Sequence, residues 1–211
     1  MGLGLSGAIM NLKPGESVTI SCQKCDQPPI EGIPYADTFR LPMMNLEKAW
    51  YETTQNPRFP PYNYHPQRCE DYNLESGGNT DLGEPLVAPF AGIIIAAHDW
   101  GSSLGNVVQL LGVTREGEQI AWAGWHLLEI AVSAGQIVQV GDAIGAIGNA
   151  GGYYAGAHLH NQICIVNKWG VPSPATFAAD DRYNWVRPSR FYLERGVDAD
   201  LVKRVCEWDG A

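Results

Sequence analysis

The chain has 211 residues, 45% of them hydrophobic and 18% charged, a balance that gives enough apolar side chains for a packed core and excludes intrinsic disorder. A formal net charge of −9 sets a mainly acidic surface against the phosphates of DNA or RNA and excludes a nucleic-acid partner. No stretch approaches the roughly 18 consecutive apolar residues of a membrane span.

In chain order, Met1 to Met10 are glycine-rich and uncharged, without the basic start and sustained apolar run of a secretory signal. Residues 1–66 read as an irregular extension. Within it Cys22 and Cys25 have the CxxC spacing of a zinc knuckle or redox pair, but no second CxxC follows, so they read as two ordinary thiols. An odd total of five cysteines leaves at least one outside any internal disulfide and points to a reducing compartment. Asn45 is placed to cap a short helix over Leu46 to Thr53, with Glu47 in its first turn. Pro57, Pro60, Pro61 and Pro66 then exclude a long helix.

From about Asp71 to Val166 the pattern changes to apolar, β-rich segments separated by glycines: Leu86 to Ala97, Asn106 to Leu111, Gln119 to Trp125, Ile137 to Val140 and Gln162 to Val166. Strands at this spacing without intervening helices predict an all-β fold with an antiparallel sheet core. The division predicted is an extension over 1–66, a β domain over 67–166 and a C-terminal extension over 167–211. That last part reads as mostly loop until Asp198 or Asp200 caps a closing helix through Leu201, Val202, Val205 and Cys206.

Of the five histidines, two form the run Ala157-His158-Leu159-His160. On a strand, side chains alternate faces, so His158 and His160 point the same way and can reach one metal ion or one substrate. The stretch Ser133 to Gly151 before them has glycines at its expected turns, Val140-Gly141-Asp142 being the clearest, and predicts a tight hairpin delivering a strand. Lipoyl and biotinyl carriers also use such a hairpin, but they need a lysine at its tip, and no lysine stands between Lys48 and Lys168. His98 reads as a solvated residue at a strand end, and Trp122 and Trp125 stand next to His126.

Four segments in register, Pro85 to Ile95, Gly105-Asn-Val-Val108, Trp122-Ala-Gly-Trp-His126-Leu and Gly156-Ala-His158-Leu-His160, resemble the lysostaphin/LytM-type zinc metallopeptidases over roughly residues 67–166. The resemblance implies the duplicated-hybrid-motif fold and hydrolysis of peptide cross-links in bacterial peptidoglycan. It implies one Zn²⁺ per chain, with His160 a ligand and His158 and His126 beside the reacting water. Zinc so held, with an open position, polarises a carbonyl and activates water near neutral pH. The peptide of the cell wall is then the expected partner, with other proteins of a virion or assembly as further ones; the lack of a secretory signal fits a phage tail component, or a protein that is cytoplasmic before release.

The first ligand segment departs from the family. Glu70-Asp71-Tyr72-Asn73 followed by Gly77-Gly-Asn-Thr-Asp81-Leu-Gly-Glu-Pro85 resembles a subgroup written HLGEDWN…GGNTDLGDPV, which points to Asp71 as the carboxylate ligand, yet Gln67 stands where its histidine belongs and Cys69 where its glycine does. Three readings stay open. His65 replaces the ligand across a two-residue bulge; Gln67 or Cys69, which share strand parity with Asp71, completes an altered site; or zinc binds poorly or not at all. The last defines the alternative function, a catalytically degenerate domain that binds cell wall or serves a structural role in a larger assembly. Asn161 and Gln162 stand where the family usually has Phe and Glu, a departure expected to affect strand packing more than chemistry.

Overall fold

The computed structural model describes residues 32–52, 68–101, 103–151, 156–176 and 178–206. Along the chain run the strands β1 (Trp50–Glu52), β2 (Cys69–Leu74), β3 (Pro85–Val87), β4 (Gly92–Asp99), β5 (Asn106–Val113), β6 (Gln119–Leu127), β7 (Glu129–Ile130), β8 (Ile137–Val138), β9 (Ala143–Ala146), β10 (Leu159–Ile165) and β11 (Asn184–Val186). The helices α1 (Pro188–Glu194) and α2 (Ala199–Cys206) follow. β4, β5 and β6 are rich in Val, Ile, Leu and Trp, residues that suit a pleated, buried surface.

The large antiparallel sheet has the order β1-β2-β10-β6-β5-β4-β8, with β11 also paired to β10; a small sheet has the order β3-β9-β7. The fold is all-β, as the sequence predicts. Alternation along β10 sorts its side chains cleanly. Leu159 and Ile163 join the main core with Trp122, Leu110, Tyr72 and Ile94, while His160, Gln162 and Cys164 face the other way.

The ends complete this core. Ala36, Leu41, Met43 and Trp50 from one side and Phe191, Tyr192, Val202 and Val205 from the other pack into the same cluster. Glu70 fixes α1 in place: its carboxylate accepts from Arg187 Nε at 2.6 Å, Ser189 N at 2.9 Å, Ser189 Oγ at 2.5 Å and Tyr72 Oη at 2.7 Å. Arg187 at the N-cap supplies no side-chain cap, so Glu70 satisfies a first-turn amide from a neighbouring strand.

On the opposite face Val171, Ala178 and Trp185 cover Cys69, Leu111, Ala121 and Cys164. Two buried glutamines hold this cover. Gln109 Nε2 donates to the Pro172 carbonyl at 2.9 Å and Gln162 Nε2 to the Thr176 carbonyl at 3.1 Å.

Several sequence expectations are corrected. No helix spans 46–52: turns occupy 46–48 and the chain then enters β1, where Trp50 is buried and its indole nitrogen donates to the Asn45 carbonyl at 2.8 Å. Leu86 to Ala97 is two strands in two sheets, broken at Pro89 and Phe90. The strands flanking Gly141 do not form a hairpin with each other, since β8 pairs β4 while β9 pairs β3 and β7. The C-terminal part holds β11 and α1 as well as the expected α2, whose first-turn amide of Leu201 bonds Asp198 Oδ1 at 2.8 Å. His98 stands at the end of β4, as the sequence suggests, but is half-buried and stacked on Trp100 with centroids 4.8 Å apart. Cys22, Cys25, His65 and Gln67 lie outside the described residues.

Candidate metal and catalytic site

Strand register builds the site. β10 pairs β2 with His160 opposite Asp71, and pairs β6 with His160 opposite Trp125, so three side chains share one face of three adjacent strands. His160 Nδ1 lies 3.0 Å from Asp71 Oδ1, and both residues are buried. The Trp125 indole stacks on the His160 ring, centroids 4.1 Å apart and planes 17° apart.

His126 reaches this face only through an irregularity. Strict alternation from Trp122, a core residue, would send His126 into the core too. Instead the β5–β6 register passes from Asn106↔Leu127 to Val108↔Gly124, so that two residues of β6, Trp125 and His126, oppose Val107. His126 occupies φ 67°, the only positive value at a non-glycine among the described residues. A bulge with a left-handed residue turns its side chain to the site and returns Leu127 to the core. Such a conformation costs about 1–3 kcal/mol and persists where surrounding structure enforces it. The Leu104 carbonyl and the Ala150 amide hold the His126 backbone, at 3.1 and 3.2 Å.

His158 stands just before β10, bridged to Gly148. The turn carrying Gly77 and Gly78 sets its position: Asn79 Oδ1 accepts from the Ala157 amide at 2.8 Å, and a Cβ on Gly156 would meet the Gly78 carbonyl oxygen at 2.7 Å. Only glycine permits that approach. The His126 and His158 rings are 4.8 Å apart and those of His126 and His160 6.1 Å.

Backbone carbonyls select the ring tautomers. His126 Nδ1 is 3.1 Å from the Ala150 carbonyl and His158 Nδ1 3.1 Å from that of Gly156. Each Nδ1 therefore carries the proton and donates, which leaves Nε2 as a lone-pair acceptor on both rings. Burial, reinforced by the neighbouring His158 and His160, pushes the His126 pKa down to about 3, so this imidazole is neutral near pH 7. Sequence reasoning did not single out Asp81. Its carboxyl is buried behind the site, and burial raises its pKa to about 6 against the opposing pull of backbone amides and His158.

The donor set fits zinc in kind. Asp71 Oδ1 and His160 Nδ1 are an oxygen and an imidazole nitrogen facing one point from adjacent strands, the ligand types of catalytic zinc sites. Among the described residues no three such donors cluster. Cys69 shares the face of Asp71, as parity predicts, but it packs beneath Trp185 and Ala178. Burial first, then Asp71, Glu70 and Glu52, raises its thiol pKa well above the ordinary range. A thiol held protonated is a poor zinc ligand.

Residues 78–171 match peptidase family M23; the match contains His126, His158 and His160 and begins after Asp71. No curated protein sequence matches. Among solved structures, the solution structure of lysostaphin aligns with a TM-score of 0.50 at 19% identity, covering 81% of this chain and 60% of that one. The antimicrobial peptidase lysostaphin from Staphylococcus simulans aligns at 0.49 and 21%, covering 70% and 51%. A zinc-containing peptidase from Vibrio cholerae aligns at 0.47 and 23%, covering 62% and 37%. The chain thus spans about half the length of the full lysostaphin it resembles. Residues 78–171 thus resemble peptidase family M23, and the fold the chain carries is the all-β lysostaphin-like one.

Proposed function

We propose that this protein is a zinc-dependent endopeptidase that hydrolyses peptide cross-links of bacterial peptidoglycan. Asp71, His160 and His65 hold one zinc ion per chain in this reading, and His126 and His158 manage protons. The observation that carries it is the convergence of Asp71, His160, His126 and His158 on one face, with His160 Nδ1 and Asp71 Oδ1 3.0 Å apart. The match of residues 78–171 to peptidase family M23 supports the reaction class.

Bound between these donors, zinc supplies a Lewis acid that polarises the scissile carbonyl and acidifies water. The two remaining histidines do the rest. His126, kept neutral by burial, presents Nε2 as an acceptor that orients the attacking water. The proton passes to Nε2 of His158, 4.8 Å away between ring centres, which then delivers it to the leaving amine, a task suited to imidazole. The Ala150 and Gly156 carbonyls hold both rings in that orientation throughout.

The second reading, a degenerate wall-binding domain, is favoured by Gln67 standing where the subgroup has its first histidine ligand. Elemental analysis of protein purified without chelator, combined with a wall-lysis assay, separates the two. About one zinc per chain, lost together with lysis in His160→Ala and in His65→Ala, is the expected outcome. Absence of zinc in the wild type even after titration overturns the enzymatic reading and leaves the binding one.

A further inference from the structure

Gln162 follows His160 by two residues on β10, faces the same side and is fully buried. Its amide contacts two groups: Nε2 donates to the Thr176 carbonyl at 3.1 Å, and Oε1 lies 3.5 Å from His160 Nε2. The Thr176 carbonyl settles which way the amide points. The flipped amide would set two carbonyl oxygens against each other and two nitrogens against each other, so Oε1 must face the imidazole.

A carbonyl oxygen toward His160 Nε2 calls for a proton on that nitrogen. The lone pair of the neutral ring is then on Nδ1, the atom 3.0 Å from Asp71 Oδ1. Nδ1 and a carboxylate oxygen this close need a cation between them, either a second proton on the ring or a metal ion. Gln162 thus favours the ring state in which Nδ1 and Asp71 receive a metal together, while Trp125 stacked at 4.1 Å fixes the ring plane. Metal-binding histidines are commonly oriented through the other ring nitrogen in this manner.

We propose that Gln162 is a positioning residue for zinc. Anchored by Thr176 of the C-terminal extension, it holds His160 with Nε2–H outward and Nδ1 toward the metal, so that the cover over this face of the sheet also tunes metal affinity. The inference rests on the zinc site of the proposed function.

Gln109 provides an internal control. It is also buried and pins the same cover through the Pro172 carbonyl at 2.9 Å, but from β5, two strands from β10. The experiment measures zinc affinity of the full chain by competition with a chromophoric chelator for wild type, Gln162→Leu, Gln162→Glu and Gln109→Leu, with unfolding followed in parallel. The expected result is ~10- to 100-fold weaker zinc binding in Gln162→Leu, substantial recovery in Gln162→Glu, which keeps an acceptor for Nε2–H, and near-wild-type affinity in Gln109→Leu. Equal affinity loss in both leucine variants, or none in Gln162→Leu, overturns the positioning role while leaving the zinc site standing. Failure of the wild type to bind zinc overturns both.

Discussion

The two faces of the large sheet are made by the same strands and are finished in different ways. On the core face, Trp122, Leu159, Ile163 and Tyr72 interlock, and polar atoms there are drawn into the packing, as when Trp122 Nε1 donates to Asn161 Oδ1 at 2.6 Å. On the other face, one half is sealed by Val171, Ala178 and Trp185, and the other half brings Asp71, His126, His158 and His160 together. Residues one position apart therefore go different ways: Leu159 joins the core and His160 joins the polar cluster. Under the proposed function, stability and activity are separable by strand parity, except at His126, where a bulge overrides parity.

That contrast is open to test. The largest effect is expected from His126→Asn. Asparagine tolerates the left-handed backbone at φ 67° but offers no imidazole, so wall-lytic activity should fall by ~10²- to 10⁴-fold while the melting temperature stays near wild type. A variant that instead melts early would show that the bulge exists for stability. On the core face, Trp122→Ala should lower unfolding free energy by about 3–5 kcal/mol, read by denaturant titration, with zinc stoichiometry unchanged wherever the variant is folded. Loss of zinc from folded Trp122→Ala would break the separation of the faces.

The smallest effect concerns pH. The Asp81 carboxyl, raised to about 6 in the fold from an ordinary 3.8, keeps its proton longer than in the unfolded chain. The native state then binds more protons between about pH 4 and 6, and stability falls as pH rises through that window. His126 tilts the profile the other way, because its depressed pKa of about 3 makes stability fall as pH drops below 6.5. Asp81→Asn removes the first tilt only, so its stability relative to wild type should grow from pH 4 to 6 and then level off. A flat difference across this range would show that the Asp81 carboxyl is not held protonated by the fold.

Much of the architecture was legible along the chain. Apolar runs with β-branched and aromatic residues marked β4, β5, β6 and β10, and period two put His158 and His160 on one side. Motif likeness identified Asp71 and His126 as their companions. Short elements were not legible: β1 was read as helix because Asn45 and Glu47 suit a helix start, whereas pairing of Trp50 to Leu74 and Tyr51 to Asn73 decides the local conformation. The glycine at 141 marked a turn but did not tell which strands the turn would join, and the break at Pro89 and Phe90 falls inside a segment that reads as one apolar run. Gln162 reads along the chain as a packing residue, since its contact to His160 depends on the Thr176 carbonyl, distant in sequence from the strand.

By itself the sequence determined the chemistry available here: few histidines, two of them at strand spacing, and a carboxylate in a recognisable segment. Local order, composition and alternation are written residue by residue, and so is the fold class that follows from them. Only the tertiary structure decided how these groups meet. The register that opposes Asp71 to His160 across β2 and β10, the bulge that turns His126 around, and the carbonyls of Ala150, Gly156 and Thr176 that fix ring and amide orientation all join positions distant in sequence. Such contacts are set by packing of the whole chain, in which each strand's place is fixed by its neighbours rather than by its own residues.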